Sequence, residues 1–474
     1  MSRHPPAGGD PRAVVPGLSE VDGRWLFDGR PLRRLAEPLE TPCFLFSARR
    51  IEASYRALAD GIAAAGRPPV LRYCAKTNFE ATILERLAGL GSHLLASHAA
   101  EVELARACGF AAERIAYQRP VLEAAELDRA MDAGIDLFHA HRAADLATLG
   151  AAAARRRRTL RVSLRLRPPA GLAAGPLGWL NRRVGFAWDE LPAAAAAVAG
   201  DSGLALYAVN VYLGTQQSSP RRFTSLLDGL LARLAEVERR TGVRLAEVNL
   251  GGGVPSPGLR RLTIAGLPAR LLDRPGPAGA PGADPSGDAL FRFGGALAAA
   301  FHRAAERAGL STPPTLALEP GRAIVGEAGL LLGRVRAVEG RWIFLDAGRK
   351  ELGESSLFLP RRLVPLWDGA SGRRVHHLSG PTLDTLDVVD LWRRLPTPAP
   401  GALLAIGDAG AYSLSRASRY ATTPAAAWLL TEDGATVRIR RPEGWRDLAA
   451  AMDPDGAPSG RGEGGRLAGA AGGG

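Results

Sequence analysis

The chain alternates between two hydrophobic patterns from about residue 70 to residue 325. Short apolar runs rich in Val, Leu and Tyr are each followed by stretches of Ala, Leu, Glu and Arg with helical spacing. Eight runs predict strands, at 70–75, 93–96, 115–117, 135–138, 160–166, 206–213, 246–250 and 316–318. Because a strand–helix alternation of this kind builds a parallel sheet, the pattern predicts an α/β fold, a TIM-type (β/α)8 barrel.

The pattern changes after about residue 324, where helical periodicity weakens. Six further short runs predict strands, at 330–338, 341–345, 374–378, 402–406, 426–430 and 436–440. They predict a C-terminal β domain over 326–452, behind a barrel over 47–325. Residues 21–46 are expected to contribute a strand to that β domain.

Three segments lack a periodic pattern of apolar residues. The termini, 1–20 and 453–474, are rich in Gly, Pro and Arg and are predicted to be disordered. A Pro/Gly-rich insertion at 258–288 follows the seventh predicted barrel strand. That position lies near the mouth of the barrel, so the insertion is either a lid or disordered.

Composition narrows the class of protein. The 474 residues carry a formal net charge of +12, but the arginines are mostly scattered and aromatic residues are not interleaved with them. This favours a solvated basic surface over a nucleic-acid partner. No apolar run is long enough to span a membrane, and the N-terminus has no signal-like apolar core. Three widely spaced cysteines predict a reducing, cytoplasmic location, and no Cys/His cluster has the spacing of zinc ligands.

Lysine is rare in this chain. Only Lys76 and Lys350 occur among 60 Lys and Arg residues. An ε-amine can lose its proton and attack a carbonyl carbon, whereas a guanidinium stays charged at any working pH. Lys76 follows the first predicted barrel strand and is therefore a candidate nucleophile. Lys350 is predicted to be a surface lysine, with a role in contacting the substrate as the open alternative.

Other chemically suggestive residues also follow predicted barrel strands. Gly214-Thr215-Gln216 follow the sixth strand, Gly251-Gly252-Gly253 the seventh and Glu319-Pro320-Gly321-Arg322 the eighth. Active sites of such barrels lie at this face, often with a phosphate site after the last two strands. A lysine beside a glycine-rich phosphate cradle indicates pyridoxal 5'-phosphate, with Glu319 as a carboxylate for the pyridine nitrogen.

Five motifs in order resemble those of fold-type III PLP-dependent decarboxylases, the group of diaminopimelate, ornithine and arginine decarboxylases with an alanine-racemase-like barrel. The motifs are Tyr73-Cys74-Ala75-Lys76-Thr77-Asn78, Asn249-Leu250-Gly251-Gly252-Gly253, Glu319-Pro320-Gly321-Arg322, Gly380-Pro381-Thr382-Leu383-Asp384 and Gly407-Asp408-Ala409-Gly410-Ala411-Tyr412. The resemblance runs from about residue 41 to residue 431.

The resemblance implies a role for each matching residue. Lys76 would form the Schiff base, and Glu319 would pair with the pyridine nitrogen. The phosphate would be held by Gly251, Gly252, Gly253, Gly321, Arg322 and Tyr412. A head-to-tail homodimer is also implied, in which Asp384 enters the partner's active site and contacts an amino-acid substrate.

The chain departs from the family where substrate recognition and proton delivery are decided. Leu383 stands where the decarboxylases carry a proton-donating cysteine, and leucine has no proton to give. Tyr212 stands where a histidine usually stacks on the cofactor, and Asn210 where another histidine is common. Glu354-Ser355-Ser356-Leu357-Phe358 replaces an Arg-Pro-x-x-Tyr that helps bind substrate in diaminopimelate decarboxylases, which argues against diaminopimelate itself.

The expected function is decarboxylation of an amino acid, basic or unusual, through a Schiff base on Lys76 and a quinonoid intermediate. Candidate proton donors are Tyr212, His377, Asp384 and Lys76 itself. Two alternatives stay open at this point. One is racemisation, epimerisation or other chemistry at Cα, since the decarboxylase cysteine is missing. The other is a PLP-binding pseudoenzyme with a protein partner.

Overall fold

The computed structural model describes residues 17–172, 180, 182–217, 219–256, 285–310, 312–353, 361–367, 373–450 and 452. The described chain begins with a small antiparallel sheet that precedes both domains. It consists of β1 (Leu18–Val21), β2 (Arg24–Phe27) and β3 (Arg30–Pro31), followed by α1 (Leu32–Ala36). The predicted disorder of residues 1–20 is therefore wrong for residues 18–20, while 1–16 lie outside the described residues.

A closed barrel of eight parallel strands forms the first domain. Its strands are β5 (Val70–Cys74), β6 (His93–Ala96), β7 (Ile115–Gln118), β8 (Leu137–Ala140), β9 (Leu160–Leu166), β10 (Leu204–Val211), β11 (Glu247–Asn249) and β12 (Thr315–Leu318), and β12 closes against β5. All eight predicted runs supply a barrel strand, so the predicted TIM-type fold is confirmed.

Helices alternate with these strands. They are α2 (Ala48–Ala63), α3 (Ala81–Gly89), α4 (Ala99–Ala107), α5 (Ala124–Asp132), α6 (Ala143–Arg156), α7 (Leu191–Ala199), α8 (Arg221–Thr241), α9 (Pro285–Ala308) and α10 (Arg322–Val325). Helix α2 begins where the Ser47 hydroxyl accepts a hydrogen bond from the backbone N–H of Arg50, at 3.0 Å. It packs closely on α9, where a Cβ at Gly61 would lie 2.2 Å from the Phe291 carbonyl oxygen. Glycine is required at that crossing.

The second domain is a nine-stranded mixed sheet. It contains β4 (Cys43–Ser47), β13 (Gly329–Glu339), β14 (Trp342–Leu345), β15 (Leu363–Pro365), β16 (Arg373–Ser379), β17 (Val388–Pro396), β18 (Leu403–Ile406), β19 (Ala426–Leu430) and β20 (Thr436–Arg440), with α11 (Arg349–Leu352) and α12 (Trp445–Ala450) at its margins. Strand β4 lies between β13 and β19, so residues that precede the barrel form the middle of this sheet.

Two strands of this sheet have no counterpart among the predicted runs. Strand β15 is only three residues long. Strand β17 pairs with β16 through two register shifts, and Trp392 within it has a positive φ of 53°. A bulged strand loses the two-residue alternation on which strand prediction depends.

Several predicted segments lie outside the described residues, namely 258–284 of the insertion, 354–358 and the tail from 453, although its neighbour Met452 is described. Residues 285–288, assigned to the insertion from sequence, instead begin α9. Within the described ranges, no helix combines the length and the apolar character needed to cross a bilayer. The three cysteines are buried and free of disulfides.

Candidate active site

A cavity of about 340 Å³ opens at the carboxyl ends of the barrel strands. Most of the predicted site residues line it, namely Lys76, Tyr212, Gly252, Gly253, Glu319, Gly321, Arg322 and Tyr412. Gly251 is buried directly behind this surface. Together these residues form one continuous side of the cavity, at the ends of the adjacent strands β5, β12, β11 and β10. We call this side the motif wall.

Lys76 lies on a single 3₁₀ turn, Ala75–Thr77, that ends β5, and it is exposed to the cavity. The turn is fixed from the second domain, because the Tyr412 N–H donates to the Thr77 carbonyl oxygen at 2.8 Å and the Asn78 amide donates to the Gly410 carbonyl at 3.0 Å. A reactive side chain on a turn held at both ends keeps its direction.

The pKa of the Lys76 ammonium is raised. The electrostatic interaction with Cys74 is the largest cause, burial opposes it, and Tyr412, Glu319 and Tyr212 act in the same direction as Cys74. Burial in turn raises the pKa of the Cys74 thiol to about 12. At neutral pH the pair is therefore an ammonium beside a neutral thiol, and the lysine must lose a proton before its nitrogen can attack a carbonyl.

The glycine loop after β11 approaches its neighbours too closely for any side chain. A Cβ at Gly253, where φ is +92°, would lie 2.0 Å from the Gly214 carbonyl oxygen. On the opposite strand end, a Cβ at Gly321 would lie 2.2 Å from the Thr77 hydroxyl oxygen. Both positions leave bare backbone facing the cavity, which suits close approach to phosphate oxygens.

Arg322 adds a fixed positive charge beside these glycines. It is 5% exposed, and its guanidinium carbon lies 4.9 Å from the centre of the Tyr412 ring. A guanidinium over an aromatic face is held in place while its donors remain directed elsewhere. Arg322 and Tyr412 therefore form a rigid corner of the cavity at the glycine loop.

Glu319 is buried and held by amide donors. One carboxylate oxygen accepts from Asn249 Nδ2 at 2.7 Å and from Asn210 Nδ2 at 3.2 Å. Burial raises the pKa of Glu319, and the cations Arg165, Arg72 and Lys76, with the Asn249 hydrogen bond, oppose that rise. The carboxylate thus has a fixed orientation and can stabilise a protonated ring nitrogen.

Tyr212 lines the cavity at the end of β10, with the Arg165 guanidinium carbon 5.4 Å from its ring centre. Burial raises the pKa of its phenol to about 12. At neutral pH Tyr212 therefore carries its proton, which makes it an available donor and a poor base.

These features fit pyridoxal phosphate. The glycine cradle excludes side chains, Arg322 supplies an anion partner, Lys76 supplies an amine, and Glu319 supplies a buried carboxylate on the same wall. A phosphate, an aldehyde and a ring nitrogen would each meet a matching group.

Two of the predicted residues lie elsewhere. Asp384 is exposed on the second domain and lines a separate cavity of about 210 Å³, so the single chain does not bring it to Lys76. The side chain of Leu383 beside it is fully exposed. His377, a candidate proton donor from sequence, lies on β16 between the rings of Trp342 and Trp392, with ring centres 5.0 and 5.8 Å away.

Lys350 is not the surface lysine that the sequence predicts. Its side chain is 6% exposed and its ammonium lies 2.7 Å from the Glu351 carboxylate, which is itself 1% exposed. A buried ion pair of this kind needs both partners, because removing one leaves the other charge without compensation.

The opposite side of the cavity was missed by the sequence reasoning. It is formed where the consecutive strands β7, β8 and β9 end, and we call it the arginine wall. Its residues are Gln118, Arg119, His141, Arg165 and Arg183. They belong to no glycine-rich or lysine-bearing motif. Their position directly after barrel strands was the signal that could have found His141 and Arg119.

His141 is the most unusual member of that wall. It is 5% exposed, and both of its ring nitrogens lack a hydrogen-bond partner within the described part of the chain. Leaving a buried polar group unpaired costs about 1–3 kcal/mol. Burial, followed by the charge of Arg165, lowers the pKa of His141 to about 4, so the imidazole is neutral at pH 7.

Comparison with known proteins identifies the first domain. The family described as "Pyridoxal-dependent decarboxylase, pyridoxal binding domain" matches residues 49–260. A diaminopimelate decarboxylase of Pseudomonas aeruginosa is 28% identical over 443 residues, which cover 91% of this chain and 98% of that protein. A diaminopimelate decarboxylase of Aquifex aeolicus is 24% identical and covers similar shares, 91% and 96%.

Solved structures share the whole architecture. Diaminopimelate decarboxylase from M. jannaschii, in complex with L-lysine, superposes with a TM-score of 0.79 at 22% identity, covering 93% of this chain and 99% of the other. Lysine/ornithine decarboxylase from Vibrio vulnificus, in complex with cadaverine, gives a TM-score of 0.67 at 19% identity, covering 84% and 97%. With a pyridoxal-binding domain matched in sequence over residues 49–260 and a cavity that fits the cofactor, the chain is similar to the fold-type III PLP-dependent decarboxylases.

Proposed function

We propose that the protein removes CO₂ from the α-carbon of an amino acid, with Lys76 as the residue that binds the cofactor. The observation that carries the proposal is the motif wall itself. One cavity presents Lys76, Glu319 and Arg322 together with the glycine cradle. The curated relatives are named as decarboxylases, and we carry over the reaction type but not their substrate.

Each residue of the motif wall has a proposed task. Arg322, Tyr412 and the backbone at Gly252 and Gly253 bind the phosphate. When bound, the cofactor withdraws electrons from the α-carbon of the amino acid joined to it. Glu319, oriented by Asn249 and Asn210, stabilises the positive charge on the ring nitrogen.

Proton delivery falls to Tyr212 in this proposal. Its phenol, with a pKa of about 12, lines the cavity and holds its proton at neutral pH. After CO₂ leaves, the α-carbon needs one proton, and the protonated phenol of Tyr212 would supply it. The protonated Lys76 amine is the second possible donor within the same cavity.

Racemisation is a second candidate, favoured by one observation. Leu383 occupies the position of the decarboxylase cysteine and has no proton to donate. A racemase needs a base and an acid on opposite faces of the α-carbon, however. With a pKa of about 12, Tyr212 is almost entirely protonated at neutral pH and offers little phenolate to act as the base, so we place racemisation second.

The deciding experiment offers the PLP-loaded protein a panel of L- and D-amino acids in deuterated buffer. Decarboxylation predicts CO₂ release and an amine product with one deuterium at the former α-carbon. Deuterium in recovered amino acid, with its carboxylate retained, would support racemisation instead. Added PLP should produce an absorbance band that is lost in Lys76→Ala. If no such band appears, the protein is not a PLP enzyme and both proposals fail.

We also propose that two chains associate so that Asp384 of one completes the active site of the other. The support is its placement: Asp384 is exposed, lines a cavity separate from that of the motif wall, and follows the fully exposed Leu383. The test mixes Lys76→Ala with Asp384→Ala chains, each inactive alone. An equimolar mixture would regain about a quarter of the wild-type activity, since about half of the dimers are mixed and one of the two sites in each mixed dimer is intact. If chains that are shown to exchange between dimers recover no activity, the proposal of a shared site is overturned.

A further inference from the structure

His139 lies inside the barrel, beneath the cavity and opposite Glu319. It is 1% exposed and does not line the cavity, so it touches no ligand there. Strand β8, which carries His139, and strand β12, which Glu319 follows, are separated by three strands in either direction round the closed barrel. Side chains from opposite strands fill the interior of an eight-stranded barrel. The contact between the two residues, 3.9 Å from His139 Nε2 to Glu319 Oε1, therefore crosses that interior.

Three side chains converge on the same oxygen of Glu319. Oε1 accepts hydrogen bonds from Asn249 and Asn210, which lie on the two strands next to β12 and next but one. His139 approaches the same oxygen from the opposite side of the barrel. Because all three groups face Oε1, the other carboxylate oxygen is left for the ring nitrogen of the cofactor.

The His139 ring is neutral at pH 7. Burial lowers its pKa well below the usual value, and the charges of Arg72, His141 and Arg165 act in the same direction. A neutral imidazole carries one N–H, and with the proton on Nε2 that N–H faces the Glu319 carboxylate. The other tautomer would leave an N–H on Nδ1 without an acceptor in the described part of the chain. His139 therefore brings a donor to Glu319 without adding a charge.

The guanidiniums near Glu319 are held by other groups. Arg72 pairs with Glu247, with 2.8 Å from Nη2 to Oε2 and 2% of each side chain exposed. Arg165 Nη1 donates to the Asn210 amide oxygen at 2.5 Å. Both cations favour the carboxylate form of Glu319 through their charge. The imidazole across the barrel is thus the group placed to add a donor to that carboxylate.

We propose that His139 is a positioning residue that keeps Glu319 ionised, so that PLP meets a carboxylate and not a carboxylic acid. This rests on the proposed function, in which Glu319 stabilises the positive charge on the ring nitrogen. Burial alone favours the neutral acid, and a donor that faces Oε1 stabilises the charged form and restricts its rotation. His139 sets the lower pH limit of PLP binding and does not contact PLP itself.

Loss of this donor has a defined effect on pH dependence. Burial already raises the pKa of Glu319, and removing a donor to the carboxylate raises it further. Three cations and one hydrogen bond continue to oppose that rise, from Arg165, Asn249, Arg72 and Lys76. At low pH the variant must lose the Glu319 proton before PLP binds, whereas at high pH wild type and variant both hold the carboxylate. Their PLP affinities therefore differ at low pH and converge at high pH.

The test measures PLP affinity of the full-length protein by equilibrium dialysis. His139→Leu should bind PLP about tenfold more weakly than wild type near pH 5.5, and about equally near pH 9. His139→Gln should restore most of the wild-type affinity, because its amide nitrogen extends about as far from the backbone as Nε2. Ser163→Ala is the matched control. Ser163 is the partner of His139 in the β8–β9 ladder and is also 1% exposed, and its loss should leave PLP affinity unchanged at every pH.

A difference that varies with pH is the signature that a purely structural residue would not give. If His139→Leu weakens PLP binding by the same factor at every pH, or leaves it unchanged, the proposal is overturned. If His139→Leu does not fold, His139→Asn takes its place, since its amide is too short to reach Glu319. His139→Asn should then show the loss at low pH that His139→Gln does not, and equal behaviour of the two variants contradicts the proposal.

The same measurement separates this proposal from the proposed function. Wild-type protein that binds no PLP at any pH would overturn both. PLP binding by wild type, with no pH-dependent effect of His139→Leu, would overturn only the role of His139.

Discussion

The two walls of the active-site cavity hold their buried titratable side chains differently. On the motif wall, Glu319 accepts hydrogen bonds from two asparagines, and Tyr412 is tied to the turn of Lys76. On the arginine wall, Arg165 Nη1 donates to the Asn210 amide oxygen at 2.5 Å, but neither ring nitrogen of His141 has a partner within the described chain. The fold thus orients the carboxylate of the first wall by hydrogen bonds and leaves the imidazole of the second without one.

The largest expected effect falls on the motif wall. Lys76→Ala should abolish the absorbance band of the bound cofactor and lower CO₂ release by about 10⁴-fold or more, because no other amine lines the cavity among the described residues. The measurement is a PLP titration followed by a single-turnover assay.

Lys350→Arg is the matched control for that loss. It keeps the charge opposite Glu351 in the second domain and should retain the absorbance band. If Lys350→Arg lost the band while Lys76→Ala kept it, the assignment of the two lysines would be reversed, and with it the identity of the motif wall.

The next effect concerns the arginine wall and pH. Because the folded pKa of His141 is lowered to about 4, the unfolded chain, with a pKa of about 6.5, binds the proton first as pH falls. The contribution of His141 to stability is present above pH 6.5 and is lost between about pH 6.5 and pH 4. At about 1.4 kcal/mol per pKa unit, the loss amounts to about 3 kcal/mol.

Denaturant unfolding of wild type and His141→Asn at pH 7.5 and pH 4.5 measures this term. The variant should lose less stability than wild type over the interval. If His141→Asn lost as much free energy of unfolding as wild type between the two pH values, the arginine wall would not hold a neutral buried imidazole.

The smallest of the three effects concerns Tyr212. Tyr212→Phe keeps the ring beside Arg165 but removes the phenol proton, so turnover should fall about 10²-fold while PLP retention is unchanged. The solvent isotope effect on turnover should rise in the variant, as protonation becomes slower. Unchanged turnover would transfer the donor role to Lys76 and leave Tyr212 as a stacking residue.

Much of the fold could be predicted from sequence because the barrel strands are uninterrupted apolar runs followed by helical periodicity. Strands β6 and β9 have the predicted bounds. Strand β17 could not be found, because its bulges and the positive φ at Trp392 are set by pairing with β16. The strand β1 was hidden for a different reason, since four residues beside a Gly/Pro-rich terminus carry too little pattern.

The motif wall could be predicted because each of its residues belongs to a short local motif. The arginine wall could not, since Arg119, His141 and Arg183 are separated by stretches of ordinary sequence and meet only when β7, β8 and β9 align. In a chain with so many arginines, nothing in the sequence distinguishes Arg183 from Arg182. Burial and missing partners, the properties that single out His141, exist only in three dimensions.

Strand β4 has a consequence for how the chain is made. All five of its residues are buried between β13 and β19, yet both neighbours are synthesised after the whole barrel, β13 about 280 and β19 about 380 residues later than Ser47. This apolar strand therefore leaves the ribosome before the strands with which it pairs, and it has no sheet partner while the barrel is synthesised. The nascent chain therefore passes through a long interval in which this strand is open to aggregation or to a chaperone, and the sheet closes only when the final strands emerge.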